Sequence, residues 1–476
     1  MLQTSMHEAL VEPSAIRERA AALHADGWRL GTVVASPVDG TLVLRYCFYA
    51  TSKPQWSILR VNATRGREVP SLTPTVIAAD FFEREIEDVF QVRFLQHPRP
   101  GNLVFHDDRR PPQRVLNEEG AFVMPVGPIF SAEAESALFL LETVGEDVVR
   151  SVPRLFYKYR AIEKLAEGKT FDDALLLVER CNGTAAIGNA WSYAQAIENA
   201  CGVTVPARAN ALRAYFAELE RVRHHVTAIR EICASTALVV ATSQLLSIEE
   251  ELLRISGDLA GHRYLFGVLS PGGVARDFDG VVLQTMAAQV ADACEHLWAI
   301  QRALAETSSF LDRLERVGII DNAKAQTFEL VGPLARASGV SADMRKIQPY
   351  GPYASQQFDV PLETEGDGYA RLRVLFAEIG QSVRLLAKLA ENIPSGAIRA
   401  PLVPLDGAAI GWTEAPRGAS IVWTEPRQDG TLARLRLTPP SFRNWHGFHI
   451  ATEEFAFQDF PIILATLDLS VAENDR

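Results

Sequence analysis

The chain has 476 residues, 47% hydrophobic and 22% charged, the composition of a globular protein with material for about two to four domains. Lys and Arg total 47 against 59 Asp and Glu, and the net charge of −12 argues against the basic footprint of a nucleic-acid binder. The first residues lack a charged-then-apolar leader pattern, and the longest apolar run, Ile232 to Ile248, is broken by Ser and Thr and too short to span a bilayer.

A cytoplasmic protein is therefore expected, meeting any membrane through partners. Five scattered cysteines, Cys47, Cys181, Cys201, Cys233 and Cys294, form no Cys-x-x-Cys, and read as small buried hydrophobes in a reducing compartment. Ala15 to Leu23 reads as a short amphipathic helix. Residues 28–61 alternate apolar and polar, as strands do, with Asp39-Gly40 as a hairpin turn. Phe81, Phe82, Ile86, Val89 and Phe90 have helical spacing, and Arg84–Asp88 would pair across one turn. Asp107 to Gly120 is charged and Pro-containing, a linker by composition.

Glu179 to Glu198 passes a small-residue turn, Asn182-Gly183-Thr184, into an Ala-rich helix carrying Trp191 and Tyr193. A long helix follows Pro206, with Leu212, Phe216, Leu219, Val222, Val226 and Ile229 as its apolar stripe. Glu218, Arg221 and His225 share one face beside that stripe. They make either a proton path or a satisfied inter-helix network. Leu283 to Leu314 marks one or two more helices, with Met286 as core filler. Leu372 to Ile393 is the last long helix, stopped by Pro394, before a strand-rich tail. The fold class is α+β: a small N-terminal domain (antiparallel sheet plus helices) over 1–106, a linker over 107–120, and a mainly helical bundle with peripheral β-hairpins over 121–476.

Several blocks carry a resemblance. Arg180, Gly183, Tyr193 and Glu198 match the first ligand segment of nickel–iron hydrogenase large subunits, E-R-x-C-G-x-C plus a helix ending Tyr-x-x-x-x-Glu. The same segment resembles the quinone-site subunit of respiratory complex I. Gly332-Pro333, Arg336 to Gly339, Asp343 and Arg345 match the family's G-P-x-x-R-A-S-G-x-x-x-D-x-R. Arg263, Gly267 and Pro271 to Val274 match its R-x-x-x-G-x-x-x-P-G-G-V, a Gly pair suited to close backbone approach. Glu414, Pro416, Arg417 and Gly418 match E-x-P-R-G, and the ending with Asp468, Asp475 and Arg476 resembles D-P-C-x-x-C-x-D-R. Glu83-Arg84-Glu85, Asp88, Phe90, Phe94, His97 and Pro98 resemble the small soluble subunit beside the quinone-site subunit, with Gln91 and Gln96 in place of two glycines, and imply a docking surface.

The chain thus resembles a fusion of the small and large soluble subunits of complex I (its C and D components), and the large subunit of membrane-bound, formate hydrogenlyase-like hydrogenases. In that register the four thiolate positions hold Asn182, Ala185, Ser470 and Glu473. The quinone-facing tyrosine and histidine of complex I fall on Gly183 and Phe130. Nickel–iron chemistry needs soft thiolates, so no metal and no hydrogen activation is expected. A vestigial cavity would gather Asn182, Gly183, Ala185, Phe130, Arg417, Asp468, Ser470 and Glu473. Glu473 with Asp468 would bind a hard divalent ion, act as acid and base, or fill the space with hydrogen bonds.

The resemblance implies a subunit of a membrane-associated redox complex that couples electron transfer to ion movement. It implies an iron–sulfur small subunit and antiporter-like membrane subunits as partners, a quinone acceptor, and a peripheral place on the inner membrane. A scaffold or coupling subunit without catalysis is the alternative. A soluble oxidoreductase with its own flavin or nicotinamide lacks support from any Rossmann fingerprint.

Overall fold

The computed structural model describes residues 5–38, 40–64, 68–106, 119–130 and 135–476. Strands β1 (Ser5–Leu10), β2 (Trp28–Val38), β3 (Thr41–Ala50) and β4 (Gln55–Thr64) form one sheet in the order β1-β4-β3-β2. Strands β2 and β3 are buried along nearly their whole length, so both faces of the sheet are covered. Asp39 of the expected turn lies outside the described residues, but Val38 does pair with Thr41. The first strand differs from expectation: β1 runs parallel to β4, whereas the other pairs are antiparallel. Helix α1 (Ile16–Ala25) buries Ile16 and Ala20 against this sheet.

The short parallel pair β5 (Glu68–Pro70) and β6 (Arg93–Leu95) flanks helix α2 (Asp80–Phe90). Gln91 and Gln96, at the two positions where the resembled pattern has glycine, have φ of 56° and 60°, the left-handed backbone that glycine adopts most readily. A side chain there costs about 1 kcal/mol. The acidic cluster on α2 is not a docking surface. Glu83 and Glu85 are buried: Glu83 accepts from Ser71, Thr73 and the Leu72 N–H, while Glu85 pairs with Arg436 at 2.7 Å and Arg476 at 3.0 Å. Arg84 lies 4.0 Å from Asp80 rather than pairing with Asp88, which instead accepts the Leu103 and Val104 N–H groups. Most of the expected linker, 107–118, lies outside the described residues.

The rest opens with strands β7 (Ala121–Val126), β8 (Leu138–Val144) and β9 (Asp147–Arg154) and is mainly helical beyond them. It continues through α3 (Ile162–Ala166), α4 (Phe171–Glu179), α5 (Ala186–Ala200), α6 (Ala207–Ser235) and α7 (Val239–Ala260). A tiny hairpin, β10 (Leu269–Ser270) with β11 (Gly273–Val274), precedes α8 (Gly280–Ala305). Here Gly272, at φ 90°, lies against the Ala400 carbonyl with no room for a Cβ, the close approach expected of this Gly pair. Four short helices follow, α9 (Ser308–Leu311), α10 (Asn322–Thr327), α11 (Gly332–Arg336) and α12 (Met344–Ile347). Then come α13 (Gly368–Glu391), β12 (Ala409–Ala415), β13 (Gly418–Pro426), β14 (Leu432–Thr438), α14 (Pro440–Ala451), β15 (Phe455–Ala456) and α15 (Phe460–Leu467). Strands β15, β9, β8 and β7 make a second four-stranded sheet.

The α+β class is as read, but β12–β13–β14 is no peripheral hairpin. All seven residues of β12 are buried, against α5 on one side and the N-terminal sheet on the other. Polar bonds stitch the two parts: Thr32 Oγ1 to Thr438 Oγ1 at 2.7 Å, Gln348 Nε2 to the Ala50 carbonyl at 2.7 Å, and the Leu30 N–H to Glu329 Oε2 at 2.9 Å. Helix α6 packs between α7 and α13, its whole apolar stripe fully buried. The apolar run Ile232–Ile248 breaks between α6 and α7, where Ala237 takes φ 62°. Among the described residues no helix is long and apolar enough to cross a membrane.

Candidate functional site

Two buried polar networks share α6. Glu218, Arg221 and His225 point toward α13, while Glu220 and His224, about 100–200° around the helix, serve α5 and the chain's last residues.

On the first face, Glu218 Oε1 accepts from Arg345 Nη1 at 3.0 Å and from the Tyr353 hydroxyl at 2.6 Å; Oε2 accepts from Ser382 Oγ at 2.6 Å. Arg221 lies 3.4 Å from Glu218 and donates to the Glu414 carbonyl at 2.6 Å. His225 Nε2 sits 2.9 Å from Glu378 Oε2, whose other oxygen accepts from Arg336 Nε at 2.6 Å. Arg336 continues to Glu414 at 2.8 Å, and Arg345 to Asp343 at 2.6 Å. The side chains of Glu218, Arg221, His225, Arg336, Arg345 and Glu378 have no solvent exposure.

The charges do not cancel. Four carboxylates (Glu218, Asp343, Glu378, Glu414) face three guanidiniums (Arg221, Arg336, Arg345). Burial pushes the Glu218 and Glu378 carboxyls up, but neighbouring guanidiniums outweigh it and leave both below the usual carboxylate range. Glu414 is different: burial, then the charge of Asp343, raises it. Burial lowers His225, so its ring is neutral at neutral pH. The result is an unbroken chain of ionisable groups in which Glu414 is disposed to hold the surplus proton. Sequence reasoning found its α6 members and missed Glu378 and Ser382. Their signal was two polar residues four apart inside the apolar stripe of α13.

The second network gathers most of the expected cavity residues. Asn182 Nδ2 donates to Glu473 Oε1 at 2.8 Å, and Glu473 Oε2 accepts the Ser441 N–H at 2.7 Å. The Glu473 N–H reaches Ser470 Oγ at 3.3 Å. Arg417 donates to the Asp468 carbonyl at 2.7 Å and to its carboxylate at 2.9 Å, with Nη1 3.9 Å from Glu473. His224 Nε2 holds the other Asp468 oxygen at 2.8 Å. The strand end carrying Arg417 is fixed by glycines: Gly332 and Gly418 pack backbone to backbone, and a Cβ on either would collide. Ala185 is buried, and Gly183 lies against the Phe266 ring. Phe130 takes no part in these bonds; its ring folds back on Gly127.

Burial and Arg417 push His224 down to about 3, while Arg417 and His224 outweigh burial to hold Asp468 well below the usual range. Both oxygens of Glu473 and both of Asp468 are already bonded. The donor set offers no thiolate and no open carboxylate pair, so it fits neither a nickel–iron centre nor a hard cation. Among the described residues no group of three or more His, Cys, Asp or Glu is arranged to hold a metal. His224, the neighbour of His225, was missed. So was Glu220, whose carboxylate accepts the Ile187 and Gly188 N–H groups at 2.8 and 3.0 Å and so caps α5. Burial pushes it up to about 7.

Comparison with known proteins covers most of the chain. Residues 9–117 match the family described as respiratory-chain NADH dehydrogenase, 30 Kd subunit, and residues 234–406 match its 49 Kd subunit family. The chain is 28% identical over 455 residues to formate hydrogenlyase subunit 5 of Escherichia coli, covering 88% of this chain and 79% of the relative. It is 26% identical over 480 residues to the fused C/D subunit of the NADH-quinone oxidoreductase of Bdellovibrio bacteriovorus (88% and 86%). It is 28% identical over 497 residues to hydrogenase-4 component G of Escherichia coli (95% and 84%).

Proposed function

We propose that this chain, which fuses domains of the 30 Kd and 49 Kd subunit families of respiratory-chain NADH dehydrogenase, is the large soluble subunit of a membrane-associated oxidoreductase complex and carries no nickel–iron centre. In this reading electron transfer is coupled to ion translocation. The 30 Kd-type domain spans 1–106, the linker 107–120 and the 49 Kd-type domain 121–476. The partners are an iron–sulfur small subunit and antiporter-like membrane subunits, with a quinone as acceptor. The complex sits peripherally on the cytoplasmic face of the inner membrane.

One observation carries the loss of metal chemistry: Asn182 and Glu473, at two of the four thiolate positions, are bonded to each other across the cavity. What remains with the chemistry of coupling is the buried ionic chain, where Glu218, Arg221 and His225 serve as a proton path. Supporting this is the surplus carboxylate and the raised Glu414. The second reading, a scaffold or coupling subunit without catalysis, is favoured by the closed cavity.

The test begins with affinity purification of the tagged chain from solubilised membranes. Co-purification of an iron–sulfur subunit and transporter-like membrane subunits is expected, with no stoichiometric nickel. Recovery of the chain alone from the soluble fraction sinks the proposal. Glu218→Gln in an intact complex then separates the readings. Lost electron transfer in membrane vesicles supports the proton path, and unchanged turnover supports the scaffold.

A further inference from the structure

The Glu218–Glu378 chain is sealed: none of its charged side chains is more than 1% exposed. A proton can therefore enter or leave it only where a covering element gives way. Helices α6, α11, α12 and α13 and strand β12, which carry the chain, are held by their own ladders of backbone bonds. The stretch just after Tyr353 is held differently. Residues 356–363 take neither helix nor strand, and Gln357, Asp359 and Leu362 are exposed. Among the described residues, no backbone group of 357–362 bonds another backbone group. The ends are fixed: the Gln356 N–H donates to the Tyr353 carbonyl at 3.1 Å, and the Glu363 N–H to the Arg336 carbonyl at 3.1 Å. Between them the Gln381 amide donates to the Asp359 carbonyl. A strap with so few bonds belongs to the parts of a fold that open at least cost.

What keeps the strap down is Phe358, half-buried between exposed neighbours. Its ring centre lies 4.8 Å from Arg345 Cζ and 3.9 Å from Lys346 Nζ. The Tyr353 ring stands 6.2 Å away, near edge-on at 68°. Lys346 is exposed and Arg345 is sealed, so the Phe358 ring marks the border between solvent and the ionic chain. Beneath it, Arg345 and Tyr353 are the two donors to Glu218 Oε1, at 3.0 and 2.6 Å. The loosest piece of cover thus lies over the Glu218 end of the chain.

We propose that the 357–362 strap is the gate of the ionic chain, with Phe358 as its plug and Tyr353 as the first proton carrier beneath it. The inference rests on the proton-path reading above. When the ring lifts, water reaches the Tyr353 hydroxyl. A proton delivered by that water bonds to the Tyr353 oxygen as the hydroxyl's own proton passes to Glu218 Oε1. The phenol ends as it began, and Glu218 is protonated. Arg345 takes no part in the transfer, since a guanidinium keeps its protons; it holds the carboxylate in place. With the ring down, the chain is cut off from solvent and cannot lose the proton the way it came.

The first test uses the purified full-length protein and tetranitromethane, which nitrates accessible tyrosines. Mass spectrometry follows Tyr353 against Tyr46, a tyrosine equally buried in β3. Phe358→Ala should raise the ratio of the two rates about tenfold, the worth of two lost cation–π contacts. Gln381→Met cuts only the tether and should raise it less. A ratio unchanged in both variants overturns the gate. In the intact complex, Phe358→Ala should lower the protons moved per electron, and Phe358→Tyr, which keeps the ring, should preserve them. If Glu218→Gln ends proton movement while Phe358→Ala leaves it whole, protons enter elsewhere and the gate alone falls. If Glu218→Gln leaves proton movement unchanged, the proton-path reading itself falls and takes the gate with it.

Discussion

The two networks on α6 differ in how their charge is met. In the Glu218–Glu378 chain, carboxylates meet guanidiniums, side chain to side chain, across four helices (α6, α11, α12 and α13) and strand β12. In the Asn182–Glu473 cluster, Glu473 is held by an amide and a backbone N–H, and Asp468 by one arginine and a neutral histidine. The first is rich in ionisable groups and has one more carboxylate than guanidinium, with Glu414 disposed to hold the extra proton. The second is locally closed, every carboxylate oxygen spoken for. The closed cluster is filled by ordinary hydrogen bonds that can be exchanged one at a time, whereas a buried chain of charges persists only if its partners persist together.

Substitutions should show this difference as a hierarchy. Arg336→Met strips the main partner from Glu378 and Glu414 and should cost about 3–5 kcal/mol in urea denaturation, because it leaves buried carboxylates uncompensated. A loss below about 1 kcal/mol would mean that water reaches the chain and that the contrast is false. A smaller effect concerns pH. Glu220 is pushed up to about 7 by burial, above the 4.5 of an ordinary glutamate. The folded chain therefore holds this proton where the unfolded chain has released it. Its contribution is complete below about 4.5 and is lost as pH rises to about 7, on the order of 3 kcal/mol. Thermal melts of Glu220→Gln should have a flatter pH dependence across that window; an unchanged slope refutes the assignment.

Asn182→Ala leaves Glu473 Oε1 without its donor and should cost about 1–2 kcal/mol by chemical denaturation. Because the site is closed by several weak bonds, this loss should stay below that of Arg336→Met. The least effect is expected from Ser470→Ala, about 0.5–1 kcal/mol, since its hydroxyl takes one long bond of 3.3 Å from the Glu473 N–H. If the last two changes rival the first, the cavity is as charge-dependent as the ionic chain.

The sequence by itself determined the periodic features. The stripe of α6 and the shared face of Glu218, Arg221 and His225 follow from 3.6-residue spacing, and the α13 stop follows from Pro394. The strand pairing of β2, β3 and β4 follows from alternation. The convergence of Asn182, Arg417, Asp468, Ser470 and Glu473 was legible only through ordered motif blocks. Tertiary structure decided what is buried and what is paired. Glu85 reads as part of a docking surface until the fold brings Arg436 and Arg476 to it from more than 350 residues away. Strand β1 is hidden because its parallel partner lies 50 residues on, with no turn to announce it. Glu378 and Glu414 become partners of Arg336 only once α11, α13 and β12 pack together. Local patterns record which face a residue takes, but the neutralisation of a buried charge depends on partners that the chain's order does not place beside it.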